Sequence, residues 1–189
     1  AETEAVIDAA VGLHAPTWGW MERGIDFSDW LDAPGGDGEA LLAAMIGVMW
    51  PTFAERYDGR LSSEDLALGA ELVARYSDLI AAGNDWASTH DAWCVSHGDY
   101  RLDNMLFAAA EGAPSVCVVD WQTAAVGVGA RDVAYFLSGA LAPDARAEAE
   151  RDLVARYRDG LADRGVDIAL DDVWDAYVLG SPSCFLMAV

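Results

Sequence analysis

Residues 95–104, Val-Ser-His-Gly-Asp-Tyr-Arg-Leu-Asp-Asn (VSHGDYRLDN), decide how this 189-residue sequence is interpreted. An apolar run ends there at His97, Gly98 and Asp99, and Asn104 follows five places after that aspartate. A turn calls for Gly and Asn, but it does not call for His and two Asp residues as well. The stretch therefore indicates chemistry in addition to a change of chain direction.

Short strand candidates flank this stretch. Trp93–Ser96 leads into His97, the apolar run 105–107 (MLF) follows Asn104, and the run 115–119 (SVCVV), rich in β-branched residues, comes next. The turn AAAEGAPS between the last two predicts a β-hairpin. Asp120 then lies where the last strand ends, so a tight hairpin would bring it close to the loop that enters the hairpin.

The residue types at the two ends of this hairpin favour phosphoryl transfer. Asp99 and Asp120 would repel each other unless a cation or a proton lies between them. Their carboxylates and the amide oxygen of Asn104 are hard ligands that suit Mg²⁺, and a carboxylate beside the metal can accept a proton from a hydroxyl nucleophile. A loop of the form H-x-D-x-x-x-x-N followed by a strand-end Asp is the protein-kinase pattern, from which these roles are borrowed.

The rest of the chain has helical periodicity. Helices are predicted over Glu2 to His14, about Glu39 to Tyr57, Ser62 or Ser63 to Gly83, Arg131 to Leu141, Pro143 to Arg164, and from about Asp171 onward. Their apolar stripes, Met45 and Met49 among them, are expected to form core. The predicted fold class is α+β, a mostly helical single domain over 1–189 with a small hairpin in its middle.

The strong negative charge of the chain argues against some classes of binding partner. Its 32 acidic and 11 basic residues give a net charge of −21, and all the basic residues are arginine. Such a chain is repelled by phosphate backbones and anionic lipid, so neither nucleic acid nor a membrane is an expected partner. The acidity fits solubility or a halophilic or G+C-rich genome, and a second reading is an acidic pocket for a cationic substrate. The acids Glu22, Asp26, Asp29 and Asp32 could line such a pocket, although a solvated loop is the simpler interpretation.

Cysteine usage and hydropathy indicate a cytoplasmic protein. Cys94, Cys117 and Cys184 form no CxxC pair and no even framework, so they are interpreted as reduced core thiols. No apolar run reaches the roughly 18 residues that a membrane span needs, and the N-terminal segment AETEAVIDAA lacks a basic signal region. The histidines His14 and His90 carry no motif and are interpreted as surface or packing residues.

Three segments together resemble a known family. HGDYRLDNMLF (97–107), VVDWQTAAVGVGARDVAYFL (118–137) and AVIDAAVGLHAPTW (5–18) are similar to the aminoglycoside phosphotransferase and choline kinase group, which has a protein-kinase-like fold. The likeness is strongest to a bacterial branch that is similar to ecdysteroid-kinase-like proteins. It covers nearly the whole chain, but only the C-terminal lobe of that fold.

The resemblance implies a role for each matching residue. Asp99 would be the catalytic base or substrate-orienting carboxylate, and Asn104 and Asp120 would bind Mg²⁺ and ATP. His97 and Asp132 would give structural support to the catalytic loop. Arg101 would contact the transferred phosphate, or else pair with Asp103 or water. The implied activity is ATP-dependent phosphorylation of a hydroxyl on a small molecule such as an aminoglycoside, choline, an amino alcohol, a sugar or a steroid.

The sequence departs from the family at the ATP-clamping lobe. It has no lysine and no Gly-rich loop ahead of a strand, so the N-terminal lobe is expected to lie outside this chain, which would be poorly active by itself. One alternative is a non-catalytic kinase-like lobe that binds or regulates. Another is a metal-dependent hydrolase built on His97, Asp99 and Asp120, which would need further metal ligands nearby.

Overall fold

Helices make up most of the chain, and two small sheets lie between the fourth and fifth of them. The computed structural model describes residues 2–20, 24, 31, 37–110 and 112–189, with the side chains of 37–39 excepted. The helices in these ranges are α1 (Glu2–His14), α2 (Asp37–Arg56), α3 (Ser63–Ala74), α4 (Tyr76–Thr89), α5 (Gly129–Ala140), α6 (Pro143–Ala162), α7 (Leu170–Gly180) and α8 (Pro182–Ala188). The strands are β1 (Trp93–Ser96), β2 (Met105–Phe107), β3 (Val116–Val118) and β4 (Ala125–Val128).

The two sheets are nested, and each consists of two antiparallel strands. The hairpin of β2 and β3 pairs Met105 with Val118, as the turn between them predicts. The strand β1 does not join this hairpin but pairs with β4, which the sequence did not predict. Gly127 permits that pairing, because a Cβ there would lie 2.5 Å from Oγ of Ser96 on β1. The outer pair thus encloses the hairpin and holds both of its ends.

The main core lies between α1, α5, α6 and the outer strand pair. The helical spacing predicts a buried face of Leu153, Val154, Tyr157 and Leu161 on α6, and all four are buried. On α1 it predicts a stripe of Val6, Ala9, Ala10 and Leu13, which is wrong in part, because Ala9 and Leu13 are only half-buried. The buried side chains of α1 are Val6, Ile7, Ala10, Val11 and His14. The buried face of α1 is wider than the predicted stripe because α1 packs against both α5 and α6.

Two predictions about the helices before the sheets were wrong. The helix expected to run to Gly83 is divided at Arg75 into α3 and α4, and α4 continues to Thr89. Gly83 lies buried inside α4, where a Cβ would come within 3.1 Å of the Arg131 guanidinium, so the glycine marks a close packing contact and not a helix end. Met45 and Met49 on α2 are 48% and 46% exposed, so this part of the expected core stripe faces outward.

The cysteines, the apolar helices and the acidic loop were also subjects of sequence predictions. The three cysteines are free, but Cys94 alone is fully buried and Cys117 is exposed, so the core prediction was wrong for Cys117. None of the helices in the described ranges is long and apolar enough to cross a membrane. The loop acids Glu22, Asp26, Asp29 and Asp32 lie outside the described residues.

Candidate active site

The loop that follows β1 turns sharply at Gly98. Its φ is +80°, a conformation that residues with side chains rarely adopt. A Cβ at this position would also lie 2.5 Å from the carbonyl oxygen of Thr123. The Thr123 hydroxyl in turn donates a hydrogen bond of 2.9 Å to the carbonyl oxygen of His97. The loop at 97–99 is therefore held directly against the segment that leads into β4.

A buried carboxylate holds the backbone of this loop. Asp132, in the first turn of α5, is 3% exposed. Its Oδ2 accepts the N–H of His97 at 2.7 Å, and its Oδ1 accepts the N–H of Gly98 at 3.1 Å. Buried carboxylates are costly unless hydrogen bonds satisfy them, so these contacts stabilise the aspartate and the loop together.

His97 braces the loop from its other side. The fully buried ring places Nε2 3.0 Å from the carbonyl oxygen of Val119, and Nδ1 3.3 Å from the N–H of Asp99. A carbonyl accepts and an N–H donates, so these partners require the tautomer with its proton on Nε2. The ring of Trp121 packs edge-on, 4.8 Å from the His97 ring. His97 thus links the loop to the chain that follows β3, and both of its ring nitrogens are used in these contacts.

Asp99 and Asn104 are joined side chain to side chain. The Nδ2 amide of Asn104 donates to the backbone oxygen and to Oδ2 of Asp99, each at 2.9 Å. The amide oxygen of Asn104 takes no part in these bonds. Oδ1 of Asp99 is buried and has no hydrogen bond of good geometry from the described residues. The loop therefore holds the Asp99 carboxylate in a fixed position through Oδ2, while Oδ1 is buried beside it.

Asp120 reaches the same region through the hairpin. The N–H of Val119 donates to the backbone oxygen of Asn104 at 3.0 Å, so Asp120 follows directly after a residue paired with Asn104. Asp120 is exposed and has a φ of +65°. Aspartate tolerates this left-handed region better than most residues, but the conformation remains strained, and such strain concentrates at functional sites. The backbone thus carries Asp120 next to the loop of Asp99 and Asn104.

Tyr135 adds a hydroxyl that sequence reasoning missed. Burial and the neighbouring negative charge of Asp99 raise the pKa of Tyr135, while Arg101 acts in the opposite direction. The hydroxyl interacts with both the Asp99 carboxylate and the Arg101 guanidinium. Its position three residues after Asp132 on α5 was the available signal, because residues three apart on a helix share a face.

Arg101 lies at the exposed edge of the site. Its guanidinium binds Oδ2 of Asp103 through Nη2 at 2.6 Å and Nε at 3.1 Å. The pair is solvent-exposed, so it contributes little to stability. Hydrogen bonding and the charge of Asp103 raise the pKa of Arg101. The structure therefore has the Asp103-paired form of Arg101, one of the two arrangements that the sequence allowed.

His14 was the second residue missed. It was interpreted as a surface or packing residue, but it is fully buried and its Nε2 lies 3.1 Å from Oδ2 of Asp132. His90 is partly buried, stacked on Trp86, with Nδ1 2.8 Å from the Trp86 backbone oxygen, so it has the packing role expected of it. No sequence signal separated the two histidines, because both end a helix without a motif around them.

Comparison with known proteins agrees with this geometry. The family model described as "Ecdysteroid kinase-like family" matches residues 39–168, which is more than half of the chain. No curated protein and no solved structure gives a significant match. The matched range contains the loop of Asp99, the hairpin and Asp132. The chain therefore belongs to the ecdysteroid kinase-like family, a family of kinase-like phosphotransferases.

Proposed function

We propose that this protein transfers the γ-phosphate of ATP to a hydroxyl group of a small molecule, of the aminoglycoside, choline or similar metabolite type. The observation that carries the proposal is the Asp99 carboxylate. One of its oxygens is held by the Asn104 amide, and the other is buried with no hydrogen bond of good geometry. A fixed carboxylate of this kind, with the Tyr135 hydroxyl as its neighbour, suits the orientation and deprotonation of a substrate hydroxyl.

The donor set is compatible with Mg²⁺. Asn104 and Asp120 offer an amide oxygen and a carboxylate, which are hard ligands. No group of three or more His, Cys, Asp or Glu side chains in the described ranges is arranged to hold a metal. Mg²⁺ in phosphoryl-transfer enzymes takes one or two protein carboxylates and completes its shell with water and substrate phosphates. When bound, the ion would neutralise charge on those phosphates.

The protein residues would act mainly by positioning. In phosphoryl transfer little covalent chemistry is required of the protein, and rate comes from alignment and charge stabilisation. The Asn104 amide would hold Asp99 in line with the acceptor hydroxyl, and Arg101, once released from Asp103, would contact the transferred phosphate. Tyr135 interacts with both Asp99 and Arg101, and it would hold these two side chains in fixed positions relative to each other.

We further propose that the chain is the C-terminal lobe of the kinase-like fold and works together with an ATP-clamping lobe. The proposal is supported by the absence of lysine from the chain, since the kinase-like fold uses a lysine from the other lobe on the ATP phosphates. The same absence also favours a second candidate function, a kinase-like module that binds nucleotide or a small molecule without transferring phosphate.

The test is release of ADP by the full-length protein with Mg²⁺ and ATP, against a panel of hydroxylated amines, aminoglycosides, sugars and steroids. We expect release that depends on one acceptor class, and we expect Asp99→Asn to lower kcat by roughly 10²- to 10⁴-fold. Glu148→Gln is the matched control, because it removes one exposed carboxylate on α6 and leaves the loop of Asp99, Arg101 and Asp103 unchanged.

The two candidates give different results. Acceptor-dependent ADP release that survives in Asp99→Asn would contradict the role of Asp99. Binding of Mg²⁺-ATP without release for any acceptor would favour the non-catalytic module. A protein that neither binds Mg²⁺-ATP nor releases ADP would sink the kinase proposal.

A further inference from the structure

Three buried side chains form a continuous row behind the catalytic loop. The hydroxyl of Tyr157 on α6 lies 2.7 Å from Nδ1 of His14 at the end of α1. Nε2 of His14 lies 3.1 Å from Oδ2 of Asp132 on α5. Tyr157 and His14 are 0% exposed and Asp132 is 3% exposed. The row therefore connects three helices through the core with no access to solvent.

The partners determine where the protons lie. The Asp132 carboxylate also accepts two backbone N–H groups, so it acts as an acceptor towards His14, and Nε2 of that ring must donate. In the neutral ring Nδ1 is then an acceptor, and the Tyr157 hydroxyl donates to it. Burial, with the neighbouring Cys94 and Asp132, raises the pKa of Tyr157 well above its usual range, so the hydroxyl keeps its proton.

The row leaves the imidazole no room to move. A Cβ at Gly129 would lie 2.7 Å from both the His14 ring and the Tyr157 hydroxyl. Gly129 begins α5 only three residues before Asp132. The His14 ring is therefore wedged between the start of α5 and Tyr157, and its Nε2 contacts the same Asp132 oxygen, Oδ2, that accepts the N–H of His97.

We propose that His14 is a positioning residue for the catalytic loop. His14 donates to Asp132, and both oxygens of that carboxylate hold the N–H groups of His97 and Gly98, the two residues before Asp99. Without the imidazole donor, Asp132 would lose one of three hydrogen bonds and would re-orient or admit water, and the loop would loosen. The catalytic consequence rests on the proposed function, whereas the structural link from His14 to the loop does not.

The variants separate donation from packing. His14→Leu removes both hydrogen bonds and keeps an apolar side chain in the core. His14→Gln keeps a donor, because the amide Nε2 of glutamine can take the place of the ring Nε2. Tyr157→Phe removes the hydroxyl alone and serves if His14→Leu does not fold. Val173→Ala, a buried cavity variant on α7, is the control for a general loss of stability.

The first measurement is amide hydrogen exchange of the full-length protein, which needs neither substrate nor ATP. We expect His14→Leu to speed exchange at the amides of His97 and Gly98 by on the order of tenfold or more, because their acceptor is no longer fixed. His14→Gln should restore most of the protection, and Val173→Ala should leave these two amides protected relative to the rest of the molecule.

The second measurement is steady-state kinetics on the acceptor found in the ADP-release panel. A displaced loop lowers the rate of the chemical step, so we expect kcat of His14→Leu to fall roughly 10- to 100-fold while KM for ATP changes little, with recovery in His14→Gln. Protection at His97 and Gly98 that is unchanged in both His14→Leu and Tyr157→Phe would overturn the positioning role. If the wild type releases no ADP, the exchange result still decides the link, and the proposed function alone fails.

Discussion

Backbone conformation at two residues decides where the carboxylates of the site lie. Gly98 and Asp120 both occupy the left-handed region, with φ of +80° and +65°. Gly98 adopts this conformation without steric cost because it has no side chain, and the turn that it makes places Asp99 beside Asn104. Asp120, the proposed metal ligand, adopts the same region, at a cost of about 1–3 kcal/mol that the surrounding structure must offset.

We expect Gly98→Ala to destabilise the protein more than an ordinary glycine substitution. The new Cβ would meet the Thr123 carbonyl at 2.5 Å, and backbone against backbone cannot relax by rotating a side chain. Gly165→Ala is the matched control, because Gly165 has a φ of +88° with nothing within 4 Å of its Cβ position. The free energy of unfolding, from urea denaturation, should fall by about 1 kcal/mol in the control and by clearly more in Gly98→Ala. An equal decrease in the free energy of unfolding of the two variants would show that the contact with Thr123 does not contribute to the effect.

At the scale of elements, the nested sheets bring distant parts of the chain together. The pairing of β1 with β4 closes a loop that contains the whole β2–β3 hairpin. The residues that leave β1 therefore meet the residues that enter β4, and the contact between Gly98 and Thr123 lies at that junction. The hairpin could be predicted from the apolar run 105–107, the β-branched run 115–119 and the turn between them. The strand β4 could not, because Ala125-Val126-Gly127-Val128 is short and contains a glycine.

The capping of α3 at its first residues should contribute to stability in a way that depends on pH. Ser62 accepts the N–H of Asp65 at 3.0 Å, and the Asp65 carboxylate accepts the Ser62 N–H at 3.1 Å, so both halves of a capping box are present. Hydrogen bonds from the Ser62 side chain and backbone lower the pKa of Asp65. A lowered folded pKa means stability that is present above the ordinary pKa and lost as the pH falls through the folded value.

We therefore expect Ser62→Ala to cost about 1 kcal/mol in the free energy of unfolding at neutral pH, as for other N-cap residues. The difference between wild type and variant should shrink at a pH well below the usual range of an aspartate pKa, because Asp65 then takes up a proton and its hydrogen bonds from Ser62 weaken. Ser63→Ala, one residue inside the helix, is the control. A difference that is the same at both pH values would contradict the coupling of Ser62 to Asp65.

For the whole molecule, the dominant physical feature is excess negative charge. With 32 acidic and 11 basic side chains, the chain has a net charge of −21. The ion pairs of the described residues, such as Arg156 with Asp8 at 2.7 Å, are mostly exposed and contribute little. Repulsion among unpaired carboxylates must therefore be outweighed by the apolar core.

We expect the melting temperature to rise as sodium chloride is added at neutral pH. Salt shortens the range of repulsion between exposed charges to about 10 Å at 0.1 M, so it stabilises the folded state of a strongly acidic chain. The rise, measured by differential scanning calorimetry, should be smaller at about pH 5, where part of the carboxylates approach their pKa. A melting temperature that is insensitive to salt at neutral pH would show that local ion pairs already neutralise the repulsion.

The sequence by itself determined the helix-rich α+β class, the hairpin and the apolar face of α6, and it singled out the loop of Asp99 and Asn104 as the candidate site. These follow from local periodicity, turn chemistry and the spacing of Asp99, Asn104 and Asp120, all of which lie close together in the chain. The tertiary structure decided the β1–β4 pairing and the places of Tyr135 and His14. Those contacts join residues as far apart as His14 and Tyr157, and no local pattern encodes a partner 143 positions away. Packing of α1, α5 and α6 around one core brings them together, and so the row of side chains behind the loop of Asp99 becomes visible only in the folded molecule.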